Sequence, residues 1–415
     1  MNTIREYPAK FWLLFGGTFI NRAATSLIWP FLTIFMKQQL EVALTTITLL
    51  FTIRSIAGFV SSSVVSPVMD RVGRKWVMVI STVAMGLILI AMANLTSLMA
   101  WAVLIGLYGA VSPMFQVGSS TMVADIIEDN DKRPEAYALI RMITNAGIAI
   151  GPAIGGLLIA VSFVMTYYVA AGVLLILAVL TIIYLPETLP QQANEDATAQ
   201  SSSGSYREVL RDHLFTAMVG VYILALMAYG LMFILLPVYA VENFAIEEGQ
   251  TGLIIMVNAL MVVLLQYKMT QFTKRFRPLQ MMALGTLLYA IGVGSVAWGR
   301  SLPAFMLSMV VVTTGELIIN PTAMALAAEL APVKMRARYM GVFTLSFTIA
   351  AGIGPVIGGY LNDHIAPVAI WYGGAFIAAL AASGFLVLAR MRLADDAPSA
   401  TVRPVTSSLA VNKRV

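Results

Sequence analysis

Apolar stretches of roughly twenty residues, the length a helix needs to cross the hydrocarbon of a bilayer, can be drawn about twelve times along the chain. They fall near 11–36, 43–69, 76–93, 98–124, 138–161, 163–185, 213–240, 250–272, 279–298, 302–327, 340–362 and 366–390. With 59% hydrophobic residues, 11% charged residues and a mean hydropathy of +0.84, the sequence carries more apolar surface than an ordinary soluble core can hide. Lipid is the solvent that suits it. The expected fold class is therefore all-α and integral to the membrane, with about twelve transmembrane helices.

The same inventory excludes several functions. There is no Cys, and the two histidines, His213 and His364, stand far apart, so neither a disulfide framework nor a metal cluster is expected. No Gly-rich loop ends in Lys-Ser or Lys-Thr, and no Ser/His/Asp set shares a span, which argues against an ATP-driven pump and against an enzyme. A net charge of +5 would suggest nucleic acid in a soluble protein. Here the cations sit beside apolar spans, where they set topology, and no nucleic-acid partner is expected.

The chain also repeats itself. Gly147 to Gly156 reads Gly-Ile-Ala-Ile-Gly-Pro-Ala-Ile-Gly-Gly, and its core returns at Gly354-Pro355-Val356-Ile357-Gly358-Gly359, 203 residues later. Arg133 and Arg336 each lie 18 residues before the Gly of the Gly-Pro pair, with an acid, Asp125 or Glu329, further upstream. A repeat at half-length in an apolar sequence points to two parallel-related helix bundles. The expected division is a six-helix bundle over 1–186, a polar linker over 187–212, a second six-helix bundle over 213–392, and a polar tail over 393–415. Gly147, Gly151, Pro152, Gly155 and Gly156, with Gly354, Pro355, Gly358 and Gly359, have no side chains that bind or react, and their expected role is close helix packing around a bend.

The first span is too long for a signal-peptide core and is expected to remain as a helix. Lys and Arg crowd one side, at residues 5 and 10, 71–75, 132–133, 207–211, 274–277, 334–338 and from 390 on, against Lys37 and Arg300 on the other. The positive-inside rule then puts both termini in the cytoplasm, which requires an even number of spans.

Between the second and third spans the chain runs Ser66-Pro67-Val68-Met69-Asp70-Arg71-Val72-Gly73-Arg74-Lys75. This resembles the loop signature of the major facilitator superfamily, Gly-x-x-x-Asp-Arg-x-Gly-Arg-Arg/Lys, with Ser66 in place of the first Gly. The Gly147–Gly156 segment is similar to the fifth-helix signature of that superfamily's drug:proton antiporter branch. Gly315-Glu316-Leu317-Ile318 through Pro321, with Ala331-Pro332 and Arg338-Tyr339-Met340-Gly341, is similar to the tenth-helix region of one multidrug subgroup. The resemblance covers nearly the whole chain. It implies the major facilitator fold and a multi-pass carrier of a cell membrane, the bacterial inner membrane being the expected one. It also implies proton-coupled export of drug-like compounds by alternating access. The expected partners are a small-molecule substrate, protons and lipids; the expected assembly is a monomer, and the proton gradient replaces any cofactor. Two departures matter: the fourth helix carries no Arg in Leu104-Ile105-Gly106-Leu107-Tyr108-Gly109, and the first helix has no acid. Coupling would need another group.

Among the 21 acids, Glu316 alone lies well inside a span. An ionisable group there is a functional hypothesis by default: it could exchange a proton, receive a cationic compound, or pair with an Arg. Asn320 follows one turn on. Arg22, beside Asn21, and Arg54 also lie at mid-span, as an ion-pair partner for the other half or as an anion site. Tyr108 and Tyr229 are candidates for an aromatic wall. In the loop, Gly73 permits a tight turn, Arg71 and Arg74 hold it at the anionic face, and Asp70 could meet the N-terminus of the eleventh helix near Arg338. Asp125, paired with Arg74 or Arg141, would extend that contact into a latch. Three functions follow: a proton-driven exporter of amphipathic, cationic compounds with Glu316 at its centre; a carrier of anionic metabolites or lipids bound by Arg22 and Arg54; and a membrane receptor without transport.

Overall fold

The computed structural model describes residues 7–127, 129, 132–188, 206–332 and 335–395. Among these, twelve helical spans are long and apolar enough to cross a membrane, and no strand occurs. In lipid each backbone group must be satisfied within its own segment, which an α-helix does and an open strand does not. Leu157, Tyr267 and Phe376 are exposed by 75%, 76% and 70%, an outward apolar belt suited to acyl chains.

In chain order the first half comprises α1 (Ala9–Ser26), a short 3₁₀ turn (Trp29–Phe31), α2 (Leu32–Leu40), α3 (Leu44–Val72), α4 (Arg74–Asn94), α5 (Leu98–Ile126), α6 (Arg133–Ile159) and α7 (Phe163–Tyr184). The second half comprises α8 (Tyr206–Arg211), α9 (His213–Ile234), α10 (Leu236–Phe244), α11 (Glu248–Thr273), α12 (Pro278–Ser295), α13 (Leu302–Leu330), α14 (Arg336–His364) and α15 (Ala369–Asp395). Side-chain caps mark two starts: Ser162 accepts from the Met165 amide at 3.3 Å and Asp212 from the Phe215 amide at 3.0 Å.

Several boundaries differ from the sequence expectation. The first span runs on to Leu40 and is broken at 27–31, where Pro30 opens the 3₁₀ turn. The seventh behaves alike, breaking at Leu235 before Pro237, which lacks the amide needed to continue the ladder. Both short continuations, α2 and α10, end on a residue in the left-handed region, Glu41 at φ 51° and Ala245 at φ 52°. The half-length repeat is thus present in the backbone as well as in the glycines. The fifth span starts earlier than expected, at Arg133, because Pro134 occupies the first turn where its missing amide costs nothing. Of the expected linker over 187–212, residues 206–211 form α8 and 189–205 lie outside the described residues; so do 396–415 of the tail.

The halves meet along two seams, α3 against α14 and α6 against α11. Each Gly-Pro-x-x-Gly-Gly segment lies on one of them. A Cβ at Gly155 would strike the Leu27 backbone of its own half, and one at Gly156 the Gly249 carbonyl across the seam. Correspondingly, Gly358 faces Leu231 and Leu235 within its half, while Gly359 faces Thr45 and Thr48 of the other. Adjacent glycines therefore serve the two contacts in turn, and Gly155 and Gly156 face backbone that cannot yield to a side chain. One continuous cluster of buried side chains joins the halves, from Phe31 and Tyr108 to Tyr222 and Trp371.

Gly156→Val is expected to lower stability by about 1–3 kcal/mol, the usual cost of overpacking a closed contact. Gly172→Ala, where a Cβ meets nothing within 4 Å, is expected to leave it unchanged or slightly raised. Thermal unfolding of the two purified variants checks both.

Candidate functional site

The Gly73 turn marks one end of the bundle, the loop face, and the opposite end is the far face. At the loop face Gly73 adopts φ 101°, open to glycine alone at low cost, and lets α3 fold back into α4. Arg74 follows it and is only 8% exposed. Its guanidinium reaches Asp125 of α5 at 3.2 Å and Asp70, one turn earlier, at 3.2 Å. Thr188 donates to Asp125 at 2.9 Å, and Glu187 accepts from the Arg74 amide at 2.9 Å, a carboxylate on a helix N-terminus.

The expected pair of Asp125 with Arg74 is present, while the expected contact of Asp70 with the other half is not made in this conformation. Asp70 turns to Arg74 rather than to the start of α14, because an i,i+4 partner on its own helical line is nearer than the other half. Arg71 and Arg141 are exposed, and neither forms an ion pair among the described residues. The network ties α3, α4, α5 and the end of α7 into one half. On the other side of the loop face Tyr339 donates to Asp212 at 3.0 Å and Arg392 pairs with Glu329 at 2.9 Å, again within one half.

The bonds that cross between halves gather from mid-depth to the far face. Thr52 donates to the Gly352 carbonyl at 2.5 Å. Asp363, on α14, accepts from the Leu44 amide at 3.3 Å, the Thr45 amide at 2.7 Å and the Thr45 hydroxyl at 2.7 Å. It caps α3 from the opposite half, where the helix dipole favours a negative group. Gln38 donates to Glu248 at 2.5 Å and Lys37 lies 3.9 Å from Glu242. In this conformation the halves are clamped at the far face.

Between them lies a cavity of about 260 Å³. Asn21, Arg22 and Trp29 contribute from the α1 segment, Arg54 from α3 and Tyr108 from α5; Phe233, Ile255 and Asn258 face them from the second half. Arg22 donates to Gln116 at 2.6 Å. The Arg54 guanidinium carbon lies 3.9 Å from the Trp29 ring centre and 5.5 Å from that of Tyr108. Such stacking contributes about 0.5–2 kcal/mol, less than the several kcal/mol lost on drawing a charge from water. It orients the guanidinium without neutralising it. Among the described residues no carboxylate comes within 4.0 Å of either arginine, and the Nε atoms of both are buried without a protein partner.

Glu316, on α13, turns inward toward α11 and α9. Asn258 donates to one carboxylate oxygen at 2.5 Å and to Thr313 at 3.0 Å, and Asn320 approaches the other oxygen at 3.5 Å. Tyr222 donates to Asn320 at 2.8 Å, Tyr229 lies against the carboxylate, and Tyr289 stacks on Tyr229 at 5.3 Å. The carboxylate is held by uncharged groups and, among the described residues, by no cation. Protonating it would therefore strand no partner charge. The predicted residues thus form two groups on facing halves, joined by Asn258, which touches both the cavity and Glu316. Asn258 and Gln116 were not singled out from sequence, although an Asn mid-span in an apolar run is itself a signal. Asp363 and Glu187, at helix ends, gave none.

Comparisons with known proteins bear on what such a site serves. A family model described as the Major Facilitator Superfamily matches residues 14–244 and again 218–412. The chain is 26% identical over 359 residues to the uncharacterized MFS-type transporter YqjV of Bacillus subtilis, covering 85% of this chain and 86% of that one. It is 25% identical over 400 residues to a Na(+), Li(+), K(+)/H(+) antiporter of Planococcus maritimus, covering 89% and 92%. In fold it is similar to a POT family transporter crystallised with a thioalcohol-conjugated peptide, with a TM-score of 0.77, 16% identity, and coverage of 92% and 96%.

Asp363→Ala is expected to lower stability by about 1 kcal/mol through loss of the α3 cap. Glu242→Ala, breaking a long exposed pair, should stay within about 0.5 kcal/mol. The ranking is read from thermal unfolding midpoints; equal midpoints would contradict it.

Proposed function

The chain belongs to the Major Facilitator Superfamily, and on that premise we propose that it couples proton movement to the export of amphipathic small molecules. It is a multi-pass membrane protein and a secondary transporter, not an enzyme. In the proposed cycle the halves rock about the central cavity, exposing it to either face in turn. Glu316 is the coupling group. The observation that carries this is its setting: a mid-depth carboxylate held by neutral donors, one of which, Asn258, also lines the cavity. Loading a proton there needs no ion pair to be broken. A relative whose name gives it as a cation/proton antiporter supports the same assignment.

Under the positive-inside rule the loop face is cytoplasmic. The far-face clamp of Asp363, Gln38 and Lys37 then makes this conformation the one closed to the exterior, in which an exporter collects its cargo. The proposed energy source is the proton gradient, with no cofactor, and the proposed working unit is the monomer. The bacterial inner membrane is the proposed location, as for the bacterial relatives. The loop-face network around Arg74 would keep the first half rigid while it moves, rather than latch the two together.

Proteoliposomes under an imposed pH gradient test the coupling with two probes of opposite charge, ethidium and 2-naphthoate. The chain should move at least one of them against its concentration. Glu316→Gln should reduce that flux to the level of protein-free vesicles without lowering the thermal midpoint. Gradient-driven flux equal to that of the unaltered chain would remove Glu316 from the mechanism.

A further inference from the structure

Two guanidinium groups line the central cavity, and the described residues supply no carboxylate to either. We propose that Arg22 and Arg54 form a subsite for an oxyanion group on the cargo, so that the compound carried is an amphipathic anion with a flat apolar body. The inference rests on taking this cavity as the carrier's binding site, and it replaces the cationic cargo expected from the multidrug resemblance.

The donors that remain unspent carry most of the weight. Arg22 gives one bond, at 2.6 Å, to the neutral oxygen of Gln116. Arg54 has its face on Trp29 at 3.9 Å, which leaves its edge free to donate. Both Nε atoms are buried without a partner among the described residues. A guanidinium fork matches a carboxylate, phosphate or sulfonate through two parallel bonds, whereas an amine or alcohol fills half of it at most. Like charges in one poorly screened cavity also repel each other. A bound anion relieves both desolvation and repulsion; a bound cation aggravates them. Gln116 and Trp29 hold the two groups in place before cargo arrives, which lessens the ordering that binding requires.

The opposite wall suits the rest of such a molecule. Phe233 and Ile255 present apolar surface from the second half, and Tyr108 adds an aromatic face. Glu316 forms no ion pair with either arginine; Asn258 donates to one of its oxygens at 2.5 Å, and Asn320 and Tyr229 adjoin it. A cargo spanning the cavity would thus lodge its charge in the first half and its body against the second, so that binding bridges the parts that must move.

Equilibrium binding to the full chain in nanodiscs, without a gradient, tests this with 2-naphthoate, 2-naphthamide and 2-naphthylmethylammonium, followed by titration calorimetry. The three share a ring system and differ in charge. The naphthoate should bind about tenfold or more tightly than the amide, and the ammonium more weakly than either. Arg22→Gln and Arg54→Gln should each erase that preference; Lys at either position should restore part of it by returning the charge without the fork. The selectivity of the unaltered chain is informative even if a variant fails to fold. Naphthoate binding no tighter than amide binding, or arginine variants that keep the preference, would overturn the subsite. Intact selectivity in a chain that shows no gradient-driven flux would instead reject the transport proposal and leave the subsite standing.

Discussion

Everything in this molecule depends on two helices of one half coming within backbone contact of two helices of the other. At Gly156 and Gly249, and at Gly359 with Thr45, the seam is too narrow for a Cβ. Lipid offers no hydrophobic force to drive helices together, so association must come from dispersion and from hydrogen bonds that small residues let form. Such contacts are individually weak and spread over few atoms. They can close one face of the molecule and open again, which large interlocked side chains would resist. The far-face bonds around Asp363 are of the same kind: several short polar contacts at a helix end, none of them a buried ion pair.

Charge is divided across the cavity in a way that fits this mechanics. Among the described residues the first half presents two guanidiniums that lack acids, and the second a carboxylate that lacks a cation. Had Glu316 been bonded to Arg22 or Arg54, the pair would lock the halves at mid-depth, and breaking it would cost several kcal/mol. Neutral groups hold the charges instead, Gln116 for Arg22, the Trp29 ring for Arg54 and Asn258 for Glu316, leaving proton and cargo to change the balance. The arginine network at the loop face follows the opposite rule. There Arg74 is enclosed by Asp70 and Asp125 within one half, where rigidity is useful.

Much of this could be read from the chain before the structure. Span number followed from hydropathy, because lipid leaves so few ways to satisfy a backbone, and the family from the resemblance carried by Asp70-Arg71-Val72-Gly73-Arg74-Lys75; the Gly-Pro-x-x-Gly-Gly repeat pointed to two bundles. Glu316, Arg22 and Arg54 stood out because charge is rare at mid-depth. What escaped was relational. Nothing local marks Asp363 as the cap of α3, since the partners lie 318 residues apart in sequence. Asp70 was expected to cross the seam, a choice that needed the conformation of the whole bundle, which sequence does not carry. The break before Pro237 was missed because the apolar run continues through it, and hydropathy does not see a missing amide. The matching break at Pro30 went unseen for the same reason.

The central claim is that the halves move as bodies about this cavity and meet at one face at a time. Spin labels at Glu41 and Glu247 bracket the far face, and labels at Arg71 and Phe276 bracket the loop face; all four positions are exposed. Distances between each pair, measured by pulsed electron paramagnetic resonance in nanodiscs across a pH series with and without cargo, report both faces at once. The account predicts that the far-face distance lengthens as the loop-face distance shortens, in one shared transition. Faces that stay fixed, or that widen together, would contradict it.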